Sequence, residues 1–186
     1  MSGHERIRLA RPDDAEALGT IEATSYLATY RGIMPDSVLA RVSPERMIER
    51  LRPRLAAAAA GPPDELHRMW VIVDDTGALR GYATTEPATD QFLPPPTGAG
   101  EIESLYLHPA SIGRGLGRAL LAHSVEELRE RGFDPLVLWA FEANDRARRF
   151  YERAGWTLDV TGEAWVLDDI PVPIVRYRLD TPRPPS

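Results

Sequence analysis

The sequence predicts a mixed α/β domain built on one central, partly antiparallel sheet. Three observations carry that class. Apolar residues recur at helical spacing before Gly61, the period shortens to that of strands from Met69 onward, and the remainder reads as a hairpin followed by β-α-β-α-β. A chain of 186 residues, 43% of them hydrophobic, suits one such domain. It is expected over residues 1–180, with a Pro-rich tail at 181–186.

The elements follow in order. Ile7–Leu9 is a short strand. Arg11-Pro12-Asp13-Asp14 reads as a helix start with an Asp cap and an acidic first turn, and Leu18, Ile21, Ser25 and Ala28 carry the helix toward Gly32. Ser43-Pro44-Glu45 opens a second helix, with Ser as cap and Pro at the first helical position. Pro53 is expected to kink or end it, and Gly61-Pro62-Pro63 to close the segment. Met69–Val73, a turn at Asp74–Gly77 and Leu79–Thr85 form a β-hairpin. Residues 87–100, with three consecutive prolines, form a loop long enough to suggest a functional role. A strand over Glu101–Leu107, a glycine-rich turn, a helix over Leu116–Arg131 and a stop at Gly132 come next. Then follow a strand over Leu136–Phe141, a helix over Asp145–Ala154, and strands over Trp156–Val160 and Ile174–Leu179.

Composition excludes several function classes. The absence of cysteine rules out a disulfide framework, thiolate metal sites and a Cys nucleophile. His4, His67, His108 and His123 show no metal-ligand spacing, so no metal is expected. A net charge of −6 disfavours nucleic acid as a partner, because phosphate contacts need a cationic surface. The polar N-terminus and the lack of a long apolar run give no signal peptide and no membrane partner, so the expected location is the cytoplasm.

The most informative stretch runs from Leu105 to Leu121. Gly113, Gly115 and Gly117 stand between a strand and a helix, where missing Cβ atoms let backbone amides approach a ligand closely. The unpaired first-turn donors and positive dipole end of the helix favour a phosphate or pyrophosphate, and Arg114 and Arg118 add cationic charge. A plain tight turn packed on the sheet is the bland alternative. A dinucleotide-binding fingerprint fits poorly, since the following strand ends at Trp139-Ala140-Phe141 without the acid such a site needs.

This segment resembles motif A of the GNAT superfamily of acetyl-CoA-dependent N-acetyltransferases. Leu105, Leu107 and Pro109 fit its strand end, and Gly115 and Gly117 its two small positions, while Ile112 departs from the usual Gln/Arg. Downstream, Asn144-x-x-Ala147-x-x-Phe150-Tyr151-Glu152-x-x-Gly155-Trp156 is similar to a second motif of the family. The resemblance implies a mostly antiparallel sheet with a splayed parallel strand pair and helices on both faces. It implies acetyl-CoA as co-substrate, with Leu105, Leu107, Ile112, Gly113, Arg114, Gly115, Gly117, Arg118, Asn144 and Tyr151 as cofactor-binding positions. It further implies a small-molecule or peptide amine as acceptor, shaped by Tyr26, Tyr30, the segment through Met34 and the loop around Phe92, and a homodimer at the family level.

Direct attack by an amine needs a base, an oxyanion donor and a group to meet the departing thiolate. Glu101 and Glu103, two residues apart on a strand, share a face and are the base candidates. By the resemblance Glu101 aligns with the base of histone-type members, while other members use a neighbouring carboxylate, and Glu103, nearer the expected acetyl group, is the favoured base. Strict alternation would put these charges on one face with Leu105 and Leu107. A β-bulge between Glu103 and Leu105 is therefore predicted, which would group Ile102 with the two leucines. The Leu105 amide is then the oxyanion-donor candidate. Tyr151, about two turns after Asn144, is the acid candidate. A non-catalytic acyl-CoA sensor of the same fold, with Glu103 and Tyr151 dispensable, stands as the alternative.

Overall fold

The computed structural model of the chain describes residues 6–60 and 67–181, without the side chains of 58–60. The expected closure at Gly61-Pro62-Pro63 and most of the expected tail lie outside those residues. Thr181, assigned to that tail, is instead held: its amide and hydroxyl both donate to Asp134 Oδ1 at 3.0 Å.

Among the described residues, seven strands form one sheet. They are β1 (Arg6–Leu9), β2 (Arg68–Val73), β3 (Leu79–Pro87), β4 (Gly100–Leu107), β5 (Leu136–Phe141), β6 (Thr157–Leu167) and β7 (Ile170–Leu179), in spatial order β1-β2-β3-β4-β5-β7-β6. Every neighbouring pair is antiparallel except β4 with β5. That parallel pair exists because helix α4 (Leu116–Glu130) forms the crossover between its strands.

Helices cover both faces. On one, α1 (Ala15–Thr29) and α3 (Pro44–Ala60) pack Leu18, Leu51 and Leu55 on Val71, Val73 and Tyr82. On the other, α4 buries Leu116 and Leu120 on Ile72 and Ala83, and Leu121 and Leu128 on Ile102, Leu136 and Leu138. The short α5 (Asp145–Arg153) adds Phe150 and Tyr151 beside the latter cluster. A four-residue helix, α2 (Asp36–Leu39), precedes α3 and has no counterpart in the sequence reading.

Four local expectations are corrected. Asp14 does not cap α1 through its side chain; the carboxylate accepts from Arg8 at 2.7 and 2.9 Å and from the Arg11 amide at 2.7 Å, tying β1 to the helix entry. Helix α3 runs through Pro53 to Ala60, so of the two expected outcomes the helix does not end there. Pro53 is exposed while Leu51 and Leu55 are buried, so the lost hydrogen bond faces water and the apolar face still anchors the helix. The last two strands extend into one long hairpin that turns at Asp168-Asp169, both at positive φ. Strand β6 absorbs Gly162 at register shifts, and Pro171 and Pro173 sit in the hairpin's outer half. The bulge, finally, lies one residue early: Thr84 pairs with Ser104 and Thr85 with Ile102, leaving Glu103 as the extra residue. Its effect is the expected one, with Ile102, Leu105 and Leu107 all packed toward α4.

Candidate active site

The site forms where β4 and β5 part. The two strands pair only at Gly100↔Leu136 and Glu101↔Val137, and beyond Glu101 they diverge. The backbone of β4 has a definite phase there. The His108 amide donates to Arg80 O on β3 at 2.8 Å. Amides alternate sides along an antiparallel ladder, so those of Tyr106 and Ser104 face β3 while those of Leu105 and Leu107 face the open fork. The splay leaves these donors without a strand opposite, and the bulge at Glu103 decides which residues supply them.

A cavity of about 580 Å³ opens on the α4 side of the fork. Leu105, Leu107, Ile112, Gly113, Gly115, Gly117, Arg118, Asn144 and Tyr151 all line it. Exposed Arg114 does not. Gly115 caps α4 in the left-handed region (φ 88°) and brings no side-chain acceptor, so no cap side chain occupies the first-turn amides beside the cavity. A Cβ at Gly113 or Gly115 would meet nothing within 4 Å, whereas one at Gly117 would lie 3.1 Å from Leu107 Cδ1. The first two glycines thus serve conformation and ligand approach, and the third serves close packing of α4 on β4. This cradle, with Arg118 beside it, fits the diphosphate of a coenzyme A, and the volume fits its pantetheine arm.

A second cavity, about 340 Å³, lies on the α1–α3 side. Tyr30, Tyr106, Asn144, Ala147 and Tyr151 line both, so the two spaces meet at the fork. Glu101 and Glu103 both line the second cavity but in different surroundings. Glu103 is 38% exposed and pairs with Arg54 at 3.3 Å. Glu101 is 7% exposed, and its Oε2 accepts a 3.4 Å hydrogen bond from the Thr89 amide of the Pro-rich loop. Burial pushes the Glu101 carboxyl up to about 7, Glu86 (its cross-strand partner) and Glu103 push the same way, and the Thr89 amide and Arg176 oppose them. The Tyr151 phenol is pushed up to about 12 by burial alone. Asn144 caps α5, accepting from the Ala147 amide at 3.2 Å, while also lining both cavities.

Tyr26, Tyr30 and Phe92 line the second cavity as expected, but Met34 is buried behind it against Phe141 and Val172. Sequence reasoning missed several other lining residues. Glu22 and Arg50 form a buried-to-surface ion pair between α1 and α3. Tyr106, Trp139, Phe141 and Trp165 furnish aromatic walls. Arg146 and Arg149 of α5 line the larger cavity. Only the last pair left a trace in the sequence: spaced three apart, they fall on one helical face.

The model of the acetyltransferase (GNAT) family matches residues 35–156. The chain is 28% identical over 183 residues to the Mycobacterium tuberculosis protein named "Probable N-acetyltransferase Rv2775", covering 97% of each. It is 39% identical over 90 residues to a mycothiol acetyltransferase of Beutenbergia cavernae, which covers 48% of this chain and 28% of that protein. The chain thus spans under a third of the mycothiol acetyltransferase it matches. Its fold is similar to that of the PaiA N-acetyltransferase of Thermoplasma acidophilum in complex with coenzyme A, at TM-score 0.72, 19% identity and coverage of 96% and 100%. With the family match extending over the fork, the glycine turn and α5, the chain belongs to the GNAT family of acetyltransferases.

Proposed function

We propose that the protein transfers the acetyl group of acetyl-CoA to a primary amine by direct attack, with both substrates bound at once. The observation that carries this reading is the meeting of the two cavities at the fork, with carboxylates on one side and the glycine cradle on the other. Acetyl-CoA supplies the activated thioester. The amides of Gly115, Leu116 and Gly117 hold its diphosphate, with Arg118 adding charge, and Leu107 lines the path of the pantetheine arm. The Leu105 amide, aimed into the fork, stabilises charge developing on the carbonyl oxygen.

Glu101 is the base. An alkyl ammonium of pKa about 10.4 must lose a proton before it can attack, at a cost of roughly 4–5 kcal/mol at pH 7. A carboxylate whose own pKa lies near 7 is half ionised at that pH and is a much stronger base than an ordinary glutamate. Glu103, paired with Arg54 at the rim, adds to the upward push on the Glu101 carboxyl. Tyr151 meets the departing sulfur. With its phenol near 12, full transfer to a thiolate of pKa about 8.5 is uphill by roughly 5 kcal/mol, so the hydroxyl acts as a hydrogen-bond donor and the thiol's proton comes from the amine. Tyr151→Phe is expected to lower kcat about tenfold with little change in KM for acetyl-CoA; an unchanged kcat removes Tyr151 from the mechanism.

The reading as a whole is tested by thermal shift and thiol release. Acetyl-CoA should raise Tm by several degrees where acetate and NAD do not, and an amine panel should release free CoA. Stabilisation without thiol release on any amine would make the protein an acyl-CoA sensor; no stabilisation at saturating acetyl-CoA would end the reading.

A further inference from the structure

Among the described residues, four arginines and no carboxylate line the larger cavity: Arg118 of α4, and Arg146, Arg149 and Arg153 of α5. In a chain of net charge −6 that is a concentrated cationic patch. The diphosphate cradle draws only on Arg118, which leaves the three on α5 without a counter-ion from the chemistry above. Their placement is not a by-product of an arginine-rich helix. Arg148 lies on the same helix, yet its side chain donates elsewhere, to Tyr177 Oη at 3.2 Å and to Glu142 O at 3.1 Å. Arg146, Arg149 and Arg153 stand at i, i+3 and i+7, on one flank of α5. Phe150 lies on that flank too and lines the cavity, and a Cβ at Gly117 would stand 3.6 Å from Phe150 Cζ. The arginine flank therefore runs beside the glycine turn.

All three arginines are exposed and accessible to a ligand. Among the described residues Arg146 and Arg153 have no acidic partner. Arg149 meets only Asp145, at 3.7 Å and with both side chains more than half exposed, a contact that water screens. Guanidinium groups gathered without counter-charge favour an anion of more than one charge, and their planar forks match phosphate oxygens two donors at a time. Coenzyme A carries such a group apart from its diphosphate: the ribose 3′-phosphate, a monoester of about −1.5 to −2 charge at pH 7. Resting on the transfer reading above, we infer that Arg146, Arg149 and Arg153 form a second phosphate subsite, which takes the ribose 3′-phosphate while the glycine turn takes the diphosphate. The three arginines thereby determine which acetyl carrier is accepted. A thioester that lacks the ribose phosphate, such as acetyl-dephospho-CoA or a pantetheine arm on a carrier protein, leaves the subsite unfilled.

Calorimetry of the full chain with coenzyme A and with dephospho-coenzyme A isolates that one phosphate, because the two ligands share diphosphate and pantetheine. Wild type should bind coenzyme A roughly tenfold or more tightly than dephospho-coenzyme A, the worth of a charge-assisted hydrogen bond, with the gap narrowing as salt rises. The triple variant Arg146→Gln/Arg149→Gln/Arg153→Gln should bind dephospho-coenzyme A as wild type does, which also reports that it is folded, while its ratio falls to near one. The single variants Arg146→Gln and Arg153→Gln should each lose part of the ratio. Arg46→Gln, the same charge change at an exposed residue lining neither cavity, should keep all of it. A wild-type ratio near one, or a ratio that survives in the triple variant, would overturn the inference and leave the transfer reading standing, since dephospho-coenzyme A still binds. Equal loss of both ligands in a variant that melts like wild type would overturn it as well. A wild type that binds neither ligand overturns both.

Discussion

Glu101→Gln is expected to lose activity and gain stability at once. The amide cannot accept the amine's proton, so kcat/KM should fall about 10²- to 10³-fold at pH 7.5, the usual effect of removing a general base. In the wild type, kcat/KM should rise with pH through about 7 as the Glu101 carboxyl ionises. That limb should vanish in the variant's residual rate, leaving only the limb that belongs to the amine itself. The stability effect runs the other way. A folded-state value of about 7, raised from 4.5 mainly by burial, means that the ionised form is disfavoured in the fold. The stability that the neutral carboxyl contributes is complete below about pH 4.5 and is lost as pH rises through 7. At about 1.4 kcal/mol per unit, the cost at pH 8 is about 3 kcal/mol, and the neutral amide avoids it. Glu101→Gln should therefore melt roughly 6–12 °C above wild type at pH 8, with the gap closing toward pH 4. Equal melting temperatures at pH 8 would show that Glu101 is not held in a destabilising site. An unchanged rate would transfer the base role to Glu103.

The second large effect is expected at the glycine cradle. Gly115 adopts φ 88° and ψ −15°, a conformation costly for an L-residue and worst for a β-branched one. Because a Cβ there meets nothing within 4 Å, substitution acts through the backbone and not through a clash. Gly115→Val should drive the turn out of the left-handed region and re-aim the first amides of α4. We expect acetyl-CoA affinity to fall by two orders of magnitude or more in calorimetry and ligand-induced stabilisation to disappear. Gly115→Asn, which tolerates the left-handed region, should keep most of the affinity. If valine binds as tightly as glycine, the diphosphate is held elsewhere; if asparagine is as poor as valine, the open space at Gly115 matters more than its φ.

The lining of the larger cavity was legible because most of its β4 and α4 residues are close in sequence. Leu105, Leu107 and the glycines lie within one strand–turn–helix unit, so spacing along the chain maps directly onto spacing in the cavity. Even the bulge could be anticipated from parity, since two glutamates and two leucines cannot share one face of a half-buried strand. The acceptor side was opaque for the opposite reason. Glu22, Arg50, Tyr106, Trp139 and Trp165 come from five separate elements, and each alone has a routine reading as a helix charge or a core aromatic. The two candidate carboxylates show the same limit. Two residues apart in sequence, Glu101 is enclosed by the loop through Thr89 while Glu103 reaches Arg54 at the rim.

By itself the sequence determined the mixed α/β class, the membership that the two motifs announce, and the glycine turn, all of which depend on local spacing and backbone conformation. Only the tertiary structure decided which glutamate is buried and where β4 and β5 part. Those outcomes depend on desolvation and on contacts between distant segments, and neither quantity is a property of residues read in order.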